Sequence, residues 1–159
     1  MGVRVQREDF DVGTEVRRLA TGRTNIGAIV TFTGVMRSEN DGASVAGMTL
    51  EHYPGMTEAE LTRVEAEASN RWPLHASLIV HRVGALNPGD NIVLVVTASA
   101  HREAAFAAAE FLMDYLKTRA PFWKRVEQAG HATWVDAKSS DDSAADRWVK
   151  LPGRREAAE

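Results

Sequence analysis

The chain contains no cysteine. That removes thiol nucleophiles, disulfides and Cys-ligated zinc or iron–sulfur centres, and it suits a reducing compartment. Long apolar runs are also missing, and the longest stretches fall far short of the ~20 residues that cross a bilayer. The opening residues Met1 to Asp9 have no apolar h-region, so no signal peptide is expected and the cytoplasm is the default location. No sign of charge dominates: 19 Lys and Arg against 22 Asp and Glu leave a net charge of −3. The overall field therefore does not steer toward nucleic acid or a membrane, and any anion binding must come from a local cluster. Gly-x-Gly-x-x-Gly and Walker A runs are absent, which excludes the usual dinucleotide and triphosphate sites. The histidines 52, 75, 81, 101 and 131 lack metal-ligand spacing, so neither a metal nor another cofactor is expected. Internal repeats and low-complexity tracts are missing too.

What is present suits one ordinary domain. The 159 residues are 44% apolar and 26% charged, enough for a single core without staples. Patterning predicts a short helix at Val12 to Leu19 and a buried strand at Ile26 to Phe32 ended by Gly34. The polar stretch Ser38 to Ser44 reads as a mobile loop. Further strands are expected at Val45 to His52, Ala76 to Val83 and Ile92 to Thr97. Short ones follow at Phe122 to Val126 and Thr133 to Val135. Two longer helices are predicted over about Thr57 to Arg71 and Arg102 to Lys117, the first with a capping box of Thr57 and Glu60. Asp141 to Trp148 reads as a last helical turn or two, and 149–159 as a disordered tail beyond a domain of residues 1–148. Strands outnumber helices and hairpin-like turns join them, which predicts α+β with a mixed, mostly antiparallel sheet.

Three clusters could carry chemistry. Lys117-Thr118-Arg119-Ala120-Pro121-Phe122-Trp123-Lys124-Arg125 packs four cations and two aromatics into nine residues with no acid. It fits a solvated basic edge, a single-strand nucleic-acid surface or a pocket for a small anionic ring system; the negative net charge disfavours nucleic acid. Lys117 follows an apolar helix and Lys124 follows two aromatics, semi-buried settings that could lower a lysine pKa toward neutrality. Ser99-Ala100-His101-Arg102 marks a strand handing over to a helix, where backbone N–H groups favour an anion. The plainer reading is a Ser99 cap with His101 on the surface. Phe32-Thr33-Gly34-Val35-Met36-Arg37 combines a permissive glycine with an arginine able to fork onto phosphate.

Longer motifs then connect these clusters. Leu50-Glu51-His52-Tyr53-Pro54-Gly55-Met56-Thr57-Glu58 and the run from Asp114 to Arg125 resemble signatures of the molybdopterin synthase large subunit family, MoaE. Phe32-Thr33-Gly34 with Arg37, Asn70-Arg71-Trp72-Pro73 and Ser99-Ala100-His101-Arg102 agree in order and spacing, and the resemblance spans roughly residues 5 to 148. It implies an α/β-hammerhead fold and a homodimer, each end binding a small ubiquitin-like sulfur-carrier subunit. It implies sulfur transfer from that partner's C-terminal thiocarboxylate to cyclic pyranopterin monophosphate, in molybdenum cofactor biosynthesis. By the resemblance, Lys117 is the central catalytic lysine and Lys124 assists it. Val35, Met36, Arg37, His101, Arg102, Lys117, Lys124, Arg125 and Val126 contact substrate, with both protomers contributing. Phe32 and Met113 line the tunnel for the partner's tail. Two positions depart from the family pattern. Val126 stands where an acid is usual, with Glu127 following, and Val35 stands where lysine is frequent. A non-catalytic paralogue that binds the pterin or the small subunit is the alternative reading.

Overall fold

The computed structural model describes residues 2–135 and 139–150. In chain order the elements are β1 (Gly2–Gln6), α1 (Val12–Ala20), β2 (Ala28–Val35), β3 (Glu39–Asn40), β4 (Ala43–Ser44), β5 (Gly47–His52) and α2 (Met56–Arg71). Then come β6 (Leu74–Arg82), β7 (Gly84–Leu86), β8 (Asn91–Ser99), α3 (Arg102–Thr118), β9 (Phe122–Gln128), β10 (His131–Val135) and α4 (Ser139–Lys150).

Two four-stranded sheets carry the fold, in the orders β1-β6-β8-β2 and β10-β9-β5-β7. Among the described pairs β1 and β6 run parallel and the rest antiparallel, so the mixed, mostly antiparallel α+β expectation holds. Both faces of β6 and β8, at the centre of the first sheet, are covered, which explains why Ile92 to Val96 is apolar without alternation. Side chains of Ile79, Val93 and Val95 pack against Leu61, Val64 and Ala68 of α2 and Phe111, Leu112 and Tyr115 of α3. Their neighbours Val80, Leu94 and Val96 turn to the opposite face, under Val12, Val16 and Leu19 of α1. Buried alanines 104, 105, 108 and 109 let α3 lie close over the sheet, near enough for Thr97 Oγ1 to donate to the Ala105 carbonyl at 2.7 Å. The second sheet has its own small core of Met36, Val45, Met48, Leu50, Leu86 and Val126.

Several local expectations change. The strand expected to be buried and ended by Gly34 is instead the edge strand β2, which runs through Gly34 to Val35 with Ile29, Phe32 and Val35 exposed, and β1 and β7 are strands that the patterning does not predict. The stretch Ser38 to Ser44 is a hairpin of β3 and β4, because Asp41 and Gly42 take φ of 50° and 81°, the pair of positive values a tight I′-type turn requires. Helix α2 starts one residue early. Gly55, at φ 83°, is its N-cap, and its N–H donates to Glu58 at 2.7 Å. Thr57 is instead fully buried inside the first turn, donating to the Pro121 carbonyl, while Glu60 pairs with Arg63. Finally, α4 runs through Val149 and Lys150, past the expected helix end. Trp148 anchors it between Trp72 and Phe111 and donates from Nε1 to Asp114 at 2.6 Å. Residues 151–159, the rest of the expected tail, lie outside the described residues.

Candidate active site

The two sheets meet at the C-terminal end of α3, and a cleft of about 640 Å³ opens there. Each element delivers its residue for a local reason. Gly34 is needed at the end of β2 because a Cβ there would lie 2.7 Å from Val93. The ladder shifts register between Gly34 and Val35, and the Met36 N–H then donates to the Asp90 carbonyl at 2.9 Å. That exit tucks Met36 into the core and leaves Arg37 exposed at the cleft. Lys117 occupies the last turn of α3, a rigid base for a side chain exposed to the cleft. Strand β9 contributes by alternation. Phe122 and Lys124 face the cleft, and Val126 lines a recess of about 120 Å³ that shares Arg37, Lys117 and Lys124 with it.

The same alternation removes other members of the basic run. Arg125 points to the opposite face, its guanidinium over the Trp134 ring at 5.9 Å, and it lines neither cavity. Arg119 folds back on Tyr115, 5.2 Å from the ring centroid. Of the other cations in the basic run, Lys124 shares the cleft with Lys117, and Arg37 joins them. Strand β9 pairs with β5 in unbroken register from Glu127 opposite Gly47 to Phe122 opposite His52. No bulge returns Glu127 to the cleft; it stays on the outer face, and Val126 is buried. Lys117 is also more open than the semi-buried setting expected of it, whereas Lys124 is half-buried.

Phe32 and Met113 line the cleft beside Lys117, as do Val35, Asp41 and Asp141. His101 and Arg102 do not. They sit exposed at the first turn of α3, about 22 Å from Lys117 at 1.5 Å per residue. His101 is the N-cap without a side-chain cap bond, and Ser99 donates to the Pro73 carbonyl at 2.9 Å rather than capping.

Several wall residues escaped the sequence reading, among them Asp41, Asp141 and His81. Asp141 enters from α4. His81 is buried in β6, with its ring stacked on Phe122 at 3.8 Å between centroids. Burial pushes the imidazole down to about 4, against the raising effect of the Arg82 carbonyl, with nearby Lys117 and His52 lowering it further. Its position two residues after Ile79, on the core-facing side of an apolar strand, was the available signal.

Sequence and fold comparisons identify the family. The family described as MoaE protein matches residues 5–119. The chain belongs to the MoaE family. A molybdopterin synthase catalytic subunit from Mesorhizobium japonicum is 54% identical over 148 residues, covering 92% of each chain. The solved MoaE protein from Burkholderia ambifaria is 50% identical with a TM-score of 0.80, covering 92% of this chain and 97% of its own. A complex of subunits 1 and 2 of molybdopterin-converting factor from Helicobacter pylori superposes with a TM-score of 0.72 over 86% of this chain and 92% of its own, at 18% identity, a likeness of fold alone. The family match covers β2 and the C-terminal turn of α3 and stops short of β9, which the 92% coverage by the Mesorhizobium relative takes in. Among the described residues no helix is long and apolar enough to cross a membrane.

Proposed function

We propose that this chain is the catalytic subunit of a molybdopterin synthase, with residues 1–148 as its catalytic domain and the cytoplasm as its location. It transfers sulfur from the C-terminal thiocarboxylate of a small ubiquitin-like subunit to cyclic pyranopterin monophosphate, forming the dithiolene of molybdopterin. The observation that carries this reading is the convergence of Lys117, Lys124 and Arg37 on one cleft in a MoaE-family chain that has no cysteine. A chain without thiols must receive its sulfur from elsewhere, and the cleft walled by Phe32 and Met113 is the place this reading gives to a narrow glycine-ended tail.

In this reading Lys117 moves the proton that sulfur addition at the pterin carbon requires, and Lys124 assists from the facing strand. Arg37 holds the substrate phosphate by charged hydrogen bonds. Val35, Met36 and Val126 contribute apolar contact around the pterin. His101 and Arg102 serve the cleft of a second copy in a homodimer, since their own cleft lies out of reach. Phe106, 61% exposed one helical turn further along α3, fits an apolar contact at that end. Arg125, turned onto Trp134, supports β9 rather than the phosphate.

The test is reconstitution with a thiocarboxylated small subunit and the pterin phosphate, following dithiolene formation. Product that depends on both components establishes the synthase. Stable binding of both without product establishes the non-catalytic paralogue instead. Light scattering that finds only the 17.4 kDa monomer at micromolar concentration would remove the shared site.

A further inference from the structure

Strand β2 ends the first sheet, and among the described residues its outer edge is bare. It pairs with β8 on one side alone, and no other described group hydrogen-bonds to Ala28–Val35. A free edge is ordinarily blunted by charged side chains, proline or a cover, because it recruits other strands. The run Ala-Ile-Val-Thr-Phe-Thr-Gly-Val has neither charge nor proline. Ile29, Phe32 and Val35 are 36%, 41% and 47% exposed along it.

Those three residues are evenly spaced, with Phe32 in the middle. An antiparallel copy of the same strand, centred there, sets Phe32 against Phe32, Ile29 against Val35 and Thr31 against Thr33. Residues directly opposite in an antiparallel pair share a face, so this register matches apolar with apolar and threonine with threonine. A two-fold axis perpendicular to the sheet produces it, and the contact is then isologous, as in most homodimers.

We propose that β2 is a homodimer seam: two copies join their first sheets edge to edge through antiparallel β2 strands centred on Phe32. The inference deepens the functional reading above and rests on it for the role of His101 and Arg102. Polarity decides the occupant. Both β2 and α3 run from the His101 end toward the cleft: Ala28 stands opposite Ser99, and Phe32, Thr33, Gly34 and Val35 line the cleft with Lys117. Reversing the strand in a second copy lays that copy's Ala28 beside the cleft end of the first. The two α3 helices then share one face of the joined sheet and run in opposite directions. Arg102 of the second copy starts just beyond its β8, about 10 Å or two strand spacings from the first copy's β2. In its own chain it is about 22 Å from Lys117. Phe106 suits the same seam. It lies two turns before Met113, on the stripe of α3 that meets Phe32 at the cleft, and it is 61% exposed. A carrier subunit's tail on this edge would pair the strand but give Phe106, His101 and Arg102 no contact.

The chain has no cysteine, so introduced thiols report the seam without background. Three variants are oxidised at micromolar concentration and read on non-reducing gels: Phe32→Cys, Ile29→Cys combined with Val35→Cys, and Trp134→Cys on the other sheet. The first two are expected to become mostly covalent dimer, and the third to stay uncoupled. Light scattering of the unmodified chain should give twice the 17.4 kDa chain mass. Thr31→Lys brings two cations together across the seam and should raise the dimer dissociation constant about a hundredfold, with circular dichroism unchanged. If Thr31→Lys fails to fold, hydrogen exchange of the unmodified chain decides. The outward amides of β2 should gain protection as concentration rises, and fast exchange at every concentration overturns the seam. A monomer alone overturns the proposal. So does a dimer that neither cysteine variant cross-links, or one that Thr31→Lys leaves intact. Small-subunit binding lost in Thr31→Lys with the dimer preserved assigns the edge to the carrier's tail and overturns it too. Cross-linked dimer without dithiolene product leaves the seam standing and overturns the functional reading alone.

Discussion

His81 makes folding stability depend on one proton. Folded, its imidazole is held at about 4, against an ordinary value of 6.5. Above pH 6.5 both folded and unfolded states are neutral there, and the group contributes no pH dependence. As pH falls through 6.5 the unfolded chain takes up a proton that the folded chain refuses. Stability then drops, by at most about 1.4 kcal/mol per pH unit, until the folded state protonates near pH 4. Between pH 7.5 and 5 the accumulated loss is about 2 kcal/mol, a large share of the roughly 5–15 kcal/mol that holds a domain together. Asp9, Asp11 and Glu60 are all lowered by hydrogen bonds. Their stabilisation is lost only as pH falls below the ordinary carboxylate range, and it is common to both proteins compared. Urea denaturation of the unmodified chain and His81→Phe at pH 7.5, 6.5, 5.5 and 5 isolates the histidine. The stability difference between them should shift by about 2 kcal/mol in favour of the variant as pH falls. The missing donor to the Arg82 carbonyl adds only a pH-independent offset. Parallel stability curves over this range would refute the buried, neutral histidine.

Other outcomes follow from the same geometry. Lys117→Ala should abolish dithiolene formation while circular dichroism and small-subunit binding survive; Lys117→Arg should fail almost as badly, because arginine does not release a proton near pH 7. Arg37→Ala should raise KM for the pterin phosphate by about tenfold to a hundredfold, the equivalent of roughly 1.5–3 kcal/mol for a charged hydrogen bond. Arg125→Ala should leave that KM nearly unchanged, since its side chain faces Trp134, and equal KM effects of the two would contradict the β9 alternation. Trp148→Ala removes the anchor of α4 and should cost about 3–5 kcal/mol in urea denaturation. A loss below 1 kcal/mol would mean α4 is not packed as described.

The sequence by itself marked the two longer helices, most of the strands and the residue types gathered at the cleft, though not β1, β7 or the β3–β4 hairpin. Helical spacing marked α2 and α3, because an amphipathic stripe repeats with the helix turn wherever a helix lies on a sheet. The unbroken apolar run of β8 announced a strand covered on both faces. The motifs around Lys117 and Lys124 were legible because the residue types are local in the chain. Ranking within the basic run was not legible. Nine consecutive residues contain Lys117, Arg119, Lys124 and Arg125, yet a helix end followed by a pleated strand sends two of them into the cleft and two away. That depends on strand parity, and parity is set by the pairing of β9 with β5, seventy or more residues apart. The Asp41-Gly42 turn was written in the sequence as a hairpin signal and was outweighed by its polar surroundings. His81 was hidden for the opposite reason. An isolated histidine in an apolar strand has no local pattern, and only the packing of Phe122 and the end of α3 against β6 gives it a neighbourhood. Distance along α3 was likewise invisible as an obstacle. Motifs that lie in one family signature can stand about 22 Å apart on a single rigid helix, so whether they share a substrate is decided by tertiary and quaternary structure.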